Sequence, residues 1–108
     1  MPEQMRVITL EGDVRVQRAE ELRKDLKSSI DSYEQTFLNV TRLSDIDLSF
    51  VHLLYAARRY AKKKKRSLQL TGTFQSNVLR RLQIGGFLEE NVSPAAKEVN
   101  EALLPLPE

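Results

Sequence analysis

The chain has 108 residues, 41% apolar and 30% charged, with 17 Lys plus Arg against 15 Asp plus Glu for a net charge of +2. That mix describes one soluble globular domain over residues 1–108, and it is too mildly basic to argue for a nucleic-acid partner. The absence of cysteine excludes disulfides, thiol catalysis and thiolate metal sites, and the single histidine, His52, excludes a multi-His metal site within this chain. No apolar run approaches the roughly 20 residues that cross a bilayer. The opening residues Met1, Pro2, Glu3 and Gln4 lack a basic-then-apolar signal pattern. The expectation is a cytoplasmic domain.

Elements follow in order. Residues 5–10 (MRVITL) read as a strand, closed by a turn at Glu11 and Gly12. Between 16 and 33, Val16, Ala19, Leu22, Leu26, Ile30 and Tyr33 recur at gaps of three and four, which predicts one face of an amphipathic helix. Residues 36–40 (TFLNV) read as a strand, and 41–47 as a polar connector offering two N-cap residues. A helix over 48–63 places Phe50, Leu53, Leu54, Ala57 and Ala61 on one face, and its last turn is rich in cations. Residues 67–71 (SLQLT) alternate as a strand. A helix over 74–82 follows, ended by Gly85 and Gly86. Ser93 and Pro94 open a last helix through about residue 104.

Strands alternating with helices predict an α/β domain: a small, mostly parallel or mixed sheet of about four strands, with helices packed against it.

Enzymatic constellations are sparse. Neither a Gly-x-Gly-x-x-Gly loop nor a Gly-Lys-Ser/Thr loop occurs. His52, between Val51 and Leu53, reads as an ordinary helical residue. Asp45 and Asp47 could bind a cation or act as acid and base, but at a helix entrance the simpler role is capping. The run Lys62, Lys63, Lys64, Lys65, Arg66 reads as a solvated loop at a helix C-terminus, with a nucleotide, anion or nucleic-acid site as the alternative. The balance favours a non-enzymatic binding module without a cofactor.

Residues 38–50 (LNVTRLSDIDLSF) resemble the STAS domain family of bacterial anti-sigma-factor antagonists, in which a strand and a Leu-Ser-Phe-like segment precede Asp-Ser-Ser/Thr-Gly at a helix start. Leu10-Glu11-Gly12-Asp13-Val14 before Ala19-Glu20-Glu21-Leu22 is similar to the family's first turn and helix. Leu68-Gln69-Leu70-Thr71-Gly72, Val78-Leu79-Arg80-Arg81-Leu82 and Gly85-Gly86-Phe87 resemble its third strand-helix unit. The resemblance implies a STAS-like fold and a role in partner-switching signalling that controls transcription. It also implies a protein partner such as an anti-sigma kinase, or else a subunit of a transporter, chemosensory or stress-signalling assembly.

The family's phosphoacceptor hydroxyl follows the motif aspartate. Here Asp47 matches that aspartate and Leu48 occupies the acceptor position, which removes the usual phosphorylation site. Ser49 matches the second hydroxyl, leaving Ser44 and Ser49 as other candidate acceptors. Phe50 replaces the glycine, and Arg15 stands where relatives place an acid. The resemblance implies an additional edge strand before residue 5, of which the four residues 1–4 are expected to supply no more than a stub. The resemblance implies a partner-binding surface of Asp13, Arg15, Asp47, Leu48, Ser49 and Phe50, with Phe50 either an exposed contact or a core residue. A homodimer stays open.

Overall fold

The computed structural model describes residues 3–88, 93–96 and 99. The elements are β1 (Glu3–Val14), α1 (Val16–Ser32), β2 (Tyr33–Ile46), α2 (Leu48–Lys63), β3 (Ser67–Thr71) and α3 (Ser76–Ile84). The sheet has order β1-β2-β3 with both pairs parallel, so each helix between strands is a crossover. The expected α/β architecture is present, with three strands among the described residues rather than four.

One face of the sheet is the core face. In register, Ile8, Leu38 and Leu70 form one row and Thr36 with Leu68 another. These side chains meet Leu22, Leu26 and Ile30 of α1 and Phe50, Leu53, Leu54, Ala57 and Ala61 of α2 in a single hydrophobic cluster. Most apolar residues of the period-2 and period-3.6 patterns read in the sequence point into the same volume, but Val16 is 61% exposed and Tyr33 opens β2 instead of ending the helix. Within it, Ser29 Oγ and Thr36 Oγ1 lie 2.8 Å apart and satisfy each other, so neither buried hydroxyl is left unpaired.

The strands are longer than the sequence suggested. Glu11 and Gly12 do not turn the chain. They lie inside β1, where Gly12 takes φ +71° between two register shifts, after Thr9 and after Gly12. Such bulges let a strand bend and continue. The segment read as a polar connector is likewise strand: Arg42 pairs with Glu11, Leu43 with Gly12, Asp45 with Asp13 and Ile46 with Val14. Leu43 and Ile46 are buried, but a spacing of three across a bulge hides the alternation that would have announced them.

Helix boundaries also move. α3 begins at Ser76, and Phe74 is a buried residue ahead of it. Gly72, at φ +91°, lets β3 leave the sheet against β2, because a Cβ there would overlap Thr41 Oγ1 and Asn39 Oδ1. Of the last expected helix, Ala96 and Val99 are helical and buried, and its remaining residues lie outside those described. No helix among the described residues is long and apolar enough to cross a membrane.

Candidate functional site

The C-terminal ends of β1 and β2 deliver Asp13, Asp45 and Asp47 to the end of the sheet where α1 and α2 begin. Asp47 is the N-cap of α2, accepting at Oδ1 from the Ser49 amide at 2.9 Å. Its other oxygen accepts from the Val16 amide, the first residue of α1, at 3.1 Å. One carboxylate thus satisfies amides at two helix N-termini, where the dipoles favour negative charge. The capping role read for Asp47 is seen directly.

Asp45 does something else. Its carboxylate, with the side chain 14% exposed, lies between two guanidinium groups. Arg15 Nη2 donates to Oδ2 at 2.6 Å, while Arg81 of α3 donates through Nε to Oδ1 at 2.5 Å and through Nη2 to Oδ2 at 3.3 Å. The Arg81 hydrogen bond, then that of Arg15, then the Ile46 amide hold the Asp45 carboxyl below its usual range. Arg15 is shifted upward in turn, first by its bond to Asp45 and then by the charge of Asp13 at 3.7 Å. The cation at position 15 therefore serves as a partner for Asp45, and it ties the start of α1 to the end of β2.

Around this cluster, Ser44 Oγ donates to Asp13 Oδ1 at 2.6 Å, and Asn77 Nδ2 of α3 donates to the Ser44 carbonyl. Arg18 donates to the carbonyls of Glu11 and Asp13, bracing the bulged end of β1. Every polar group in the cluster thus has a structural partner close by.

Leu48 is the outlier. It occupies the first position of α2 with 55% of its surface exposed, and Val16 and Ile84 are exposed too. Leu48, Val51, Arg81, Ile84 and Phe87 line a shallow groove of about 230 Å³ between α2 and α3, next to Asp47. Ser49 is half-buried beside it. Phe50 departs from the expected surface: at 1% exposure its ring is wholly in the core, so it cannot touch a partner. The helical period explains this, since Phe50, Leu53, Leu54 and Ala57 share the face that meets the sheet.

Of the residues expected to form the surface, Asp13, Arg15, Asp47, Leu48 and Ser49 come together at this end of the sheet. Sequence reasoning missed Arg81, Ile84 and Val16. Nothing local in the sequence links Arg81 or Ile84 to residues 45–48, because the Arg81–Asp45 pair spans 36 positions. The run Lys62, Lys63, Lys64, Lys65, Arg66 is not wholly a loop: Lys62 and Lys63 lie in the last turn of α2, Lys64 is its C-cap, and the run sits at the opposite end of that helix from Leu48. Lys64 Nζ and Lys27 Nζ each lie 5.6 Å from the centre of the Tyr60 ring, while Tyr60 donates its hydroxyl to Asp31 at 2.6 Å.

Among the described residues no cluster of three or more His, Asp or Glu side chains could hold a metal ion.

Comparison with known proteins gives a consistent fold. No curated protein sequence matches the chain. The anti-sigma factor antagonist SpoIIAA in its unphosphorylated form superposes with a TM-score of 0.66 at 23% identity, covering 78% of this chain and 74% of that one. The Bacillus cell fate determinant SpoIIAA in the phosphorylated form gives 0.61 at 22% identity, over 78% and 77%. A sulfate transporter family protein from Wolinella succinogenes gives 0.63 at 20% identity, over 90% and 82%. At these identities the likeness is one of fold. The family described as "Mlab, STAS domain" matches residues 1–89, more than half of the sequence, and the chain belongs to that STAS family.

Proposed function

We propose that this STAS domain is a non-enzymatic protein-interaction module in partner-switching signalling, with its docking surface at the start of α2. The observation that carries the reading is Leu48: a helix of sixteen residues opens on a large, exposed apolar side chain. Nothing in the packing of the domain requires that side chain. The groove it shares with Ile84 and Phe87 supplies an apolar floor, and Arg81 and Asp47 give a charged rim. An interface of that make-up has an apolar centre and polar edge.

The hydroxyl that a kinase would use at this position is replaced by an alkyl chain, so the surface is constitutive rather than switched by phosphate at residue 48. Leu and Phe contacts of this size contribute on the order of 1–2 kcal/mol each to an interface. The fold shared with a sulfate transporter family protein supports a second reading, in which the same surface seats the domain on a transporter or another cytoplasmic assembly.

The test is Leu48→Asp against wild type and His52→Ala, an exposed control further along α2. A protein recovered with the wild-type bait is purified and titrated against all three. Leu48→Asp keeps its fold, because a carboxylate near a helix N-terminus is tolerated. It should lose at least tenfold in affinity, about 1.4 kcal/mol. A folded Leu48→Asp protein with full affinity would move the docking surface elsewhere.

A further inference from the structure

The groove beside Leu48 has two walls. Leu48 and Val51, three positions apart on α2, form one of them, and Arg81 and Ile84, three positions apart on α3, form the other. Residues at that spacing stand one turn apart on the same helix face. Leu48 is 55% and Ile84 75% exposed, so both walls offer apolar surface to an incoming chain. Exposed apolar surface with a charged rim marks an interaction site.

The charged side chains of the groove decide what chemistry it accepts. Of the lining residues, Asp47 and Arg81 carry charge. Asp47 is half-buried, and both of its oxygens already accept an amide, one from Ser49 and one from Val16. Arg81 is less fully engaged. Its side chain is 57% exposed, and Asp45 takes Nε and Nη2, which leaves Nη1 without a partner among the described residues. A guanidinium has five N–H donors in a planar fork, and an open edge of that fork suits a carboxylate. A partner cation would instead be set against Arg81, while Asp47 is committed to two helix starts.

We propose that this groove receives a helical segment of a partner protein in which a carboxylate sits three or four positions from a large apolar side chain. The apolar side chain packs between Leu48 and Ile84, and the carboxylate takes the open edge of Arg81. The spacing follows from the α3 wall: Arg81 and Ile84 are one turn apart, so a helix laid along them matches both with one turn of its own. This rests on the docking surface proposed at Leu48 and names what that surface selects, an acidic amphipathic helix and not a basic one.

The experiment uses the complete chain as bait for a displayed library of random peptides. Leu48→Ala, which removes the apolar contact without adding charge, is used to discard peptides that bind elsewhere. The remaining peptides should carry Asp or Glu three or four positions from Leu, Ile, Met or Phe. In a synthetic copy of one of them, replacing that carboxylate by its amide should weaken binding to wild type at least tenfold. Against Arg81→Gln the same replacement should change binding less than twofold, a coupling that a merely displaced α3 would not produce. Peptides that need Leu48 but are basic or uncharged overturn the acidic partner and leave the docking surface standing. So does an acidic peptide whose carboxylate matters equally to wild type and Arg81→Gln. If no peptide distinguishes wild type from Leu48→Ala, the docking surface falls and this proposal with it. Self-association of the wild type in sedimentation velocity that Leu48→Ala abolishes would put a second copy in the groove and also overturn it.

Discussion

Arg81 and Asp45 stand 36 positions apart and are joined by two hydrogen bonds of 2.5 and 3.3 Å, which fasten α3 to the end of β2. Arg15 completes the grip from the start of α1 at 2.6 Å. Three elements that share no local sequence signal are therefore held at one carboxylate, beside the exposed Leu48.

This arrangement has a pH signature. The Asp45 carboxyl is more acidic in the folded chain than in the unfolded one, because Arg81 and Arg15 hydrogen-bond its charged form. Its contribution is complete above the unfolded value, near pH 4, and is lost as pH falls through the lower folded value. Asp45→Asn should lower the melting temperature at pH 7. The gap to wild type should close below about pH 4, and thermal melts across pH 2–7 read it. A gap that stays constant down to the acid limit would mean that the two ion pairs contribute nothing.

Asp47 should matter through its two amides. Asp47→Ala removes the acceptor for both Ser49 and Val16, and the loss of an N-cap costs about 0.5–2 kcal/mol. Asp47→Asn keeps one oxygen acceptor and should recover part of that loss. Urea unfolding of the two variants measures the difference. Equal stability of both variants and wild type would show that water replaces the cap at no cost.

Phe50 should behave as core and not as contact. Phe50→Ala is expected to cost about 3–5 kcal/mol, a large share of the roughly 5–15 kcal/mol total stability of a small domain. Phe50→Leu should cost much less and leave partner affinity as in wild type. A Phe50→Leu protein with normal stability and lost affinity would return this ring to the surface.

The basic run gives a contrasting case. Lys62, Lys63 and Lys65 are exposed, and changing all three to Gln should move stability by only a few tenths of a kcal/mol. Lys64 is left in place because it lies over the Tyr60 ring. Binding to DNA and to anionic vesicles, measured in low salt, should be weak and the same for both proteins. A salt-sensitive affinity that disappears in the triple variant would make this end of α2 a polyanion site.

The sequence alone determined the α/β class, the two crossover helices and the face each buries, because the spacing of Leu22, Leu26 and Ile30, and of Phe50, Leu53, Leu54 and Ala57, is set by helix geometry within a few turns. It also offered Asp47 as a cap, since capping is a local fact about a helix start. Only the tertiary structure decided that residues 41–46 are strand, because their pairing depends on Glu11, Gly12, Asp13 and Val14 across a bulged register. It alone brought Arg81 to Asp45 and Ile84 to Leu48. Those contacts are made by side chains from separate elements meeting at one end of the sheet, and their geometry exists only once the crossovers have closed.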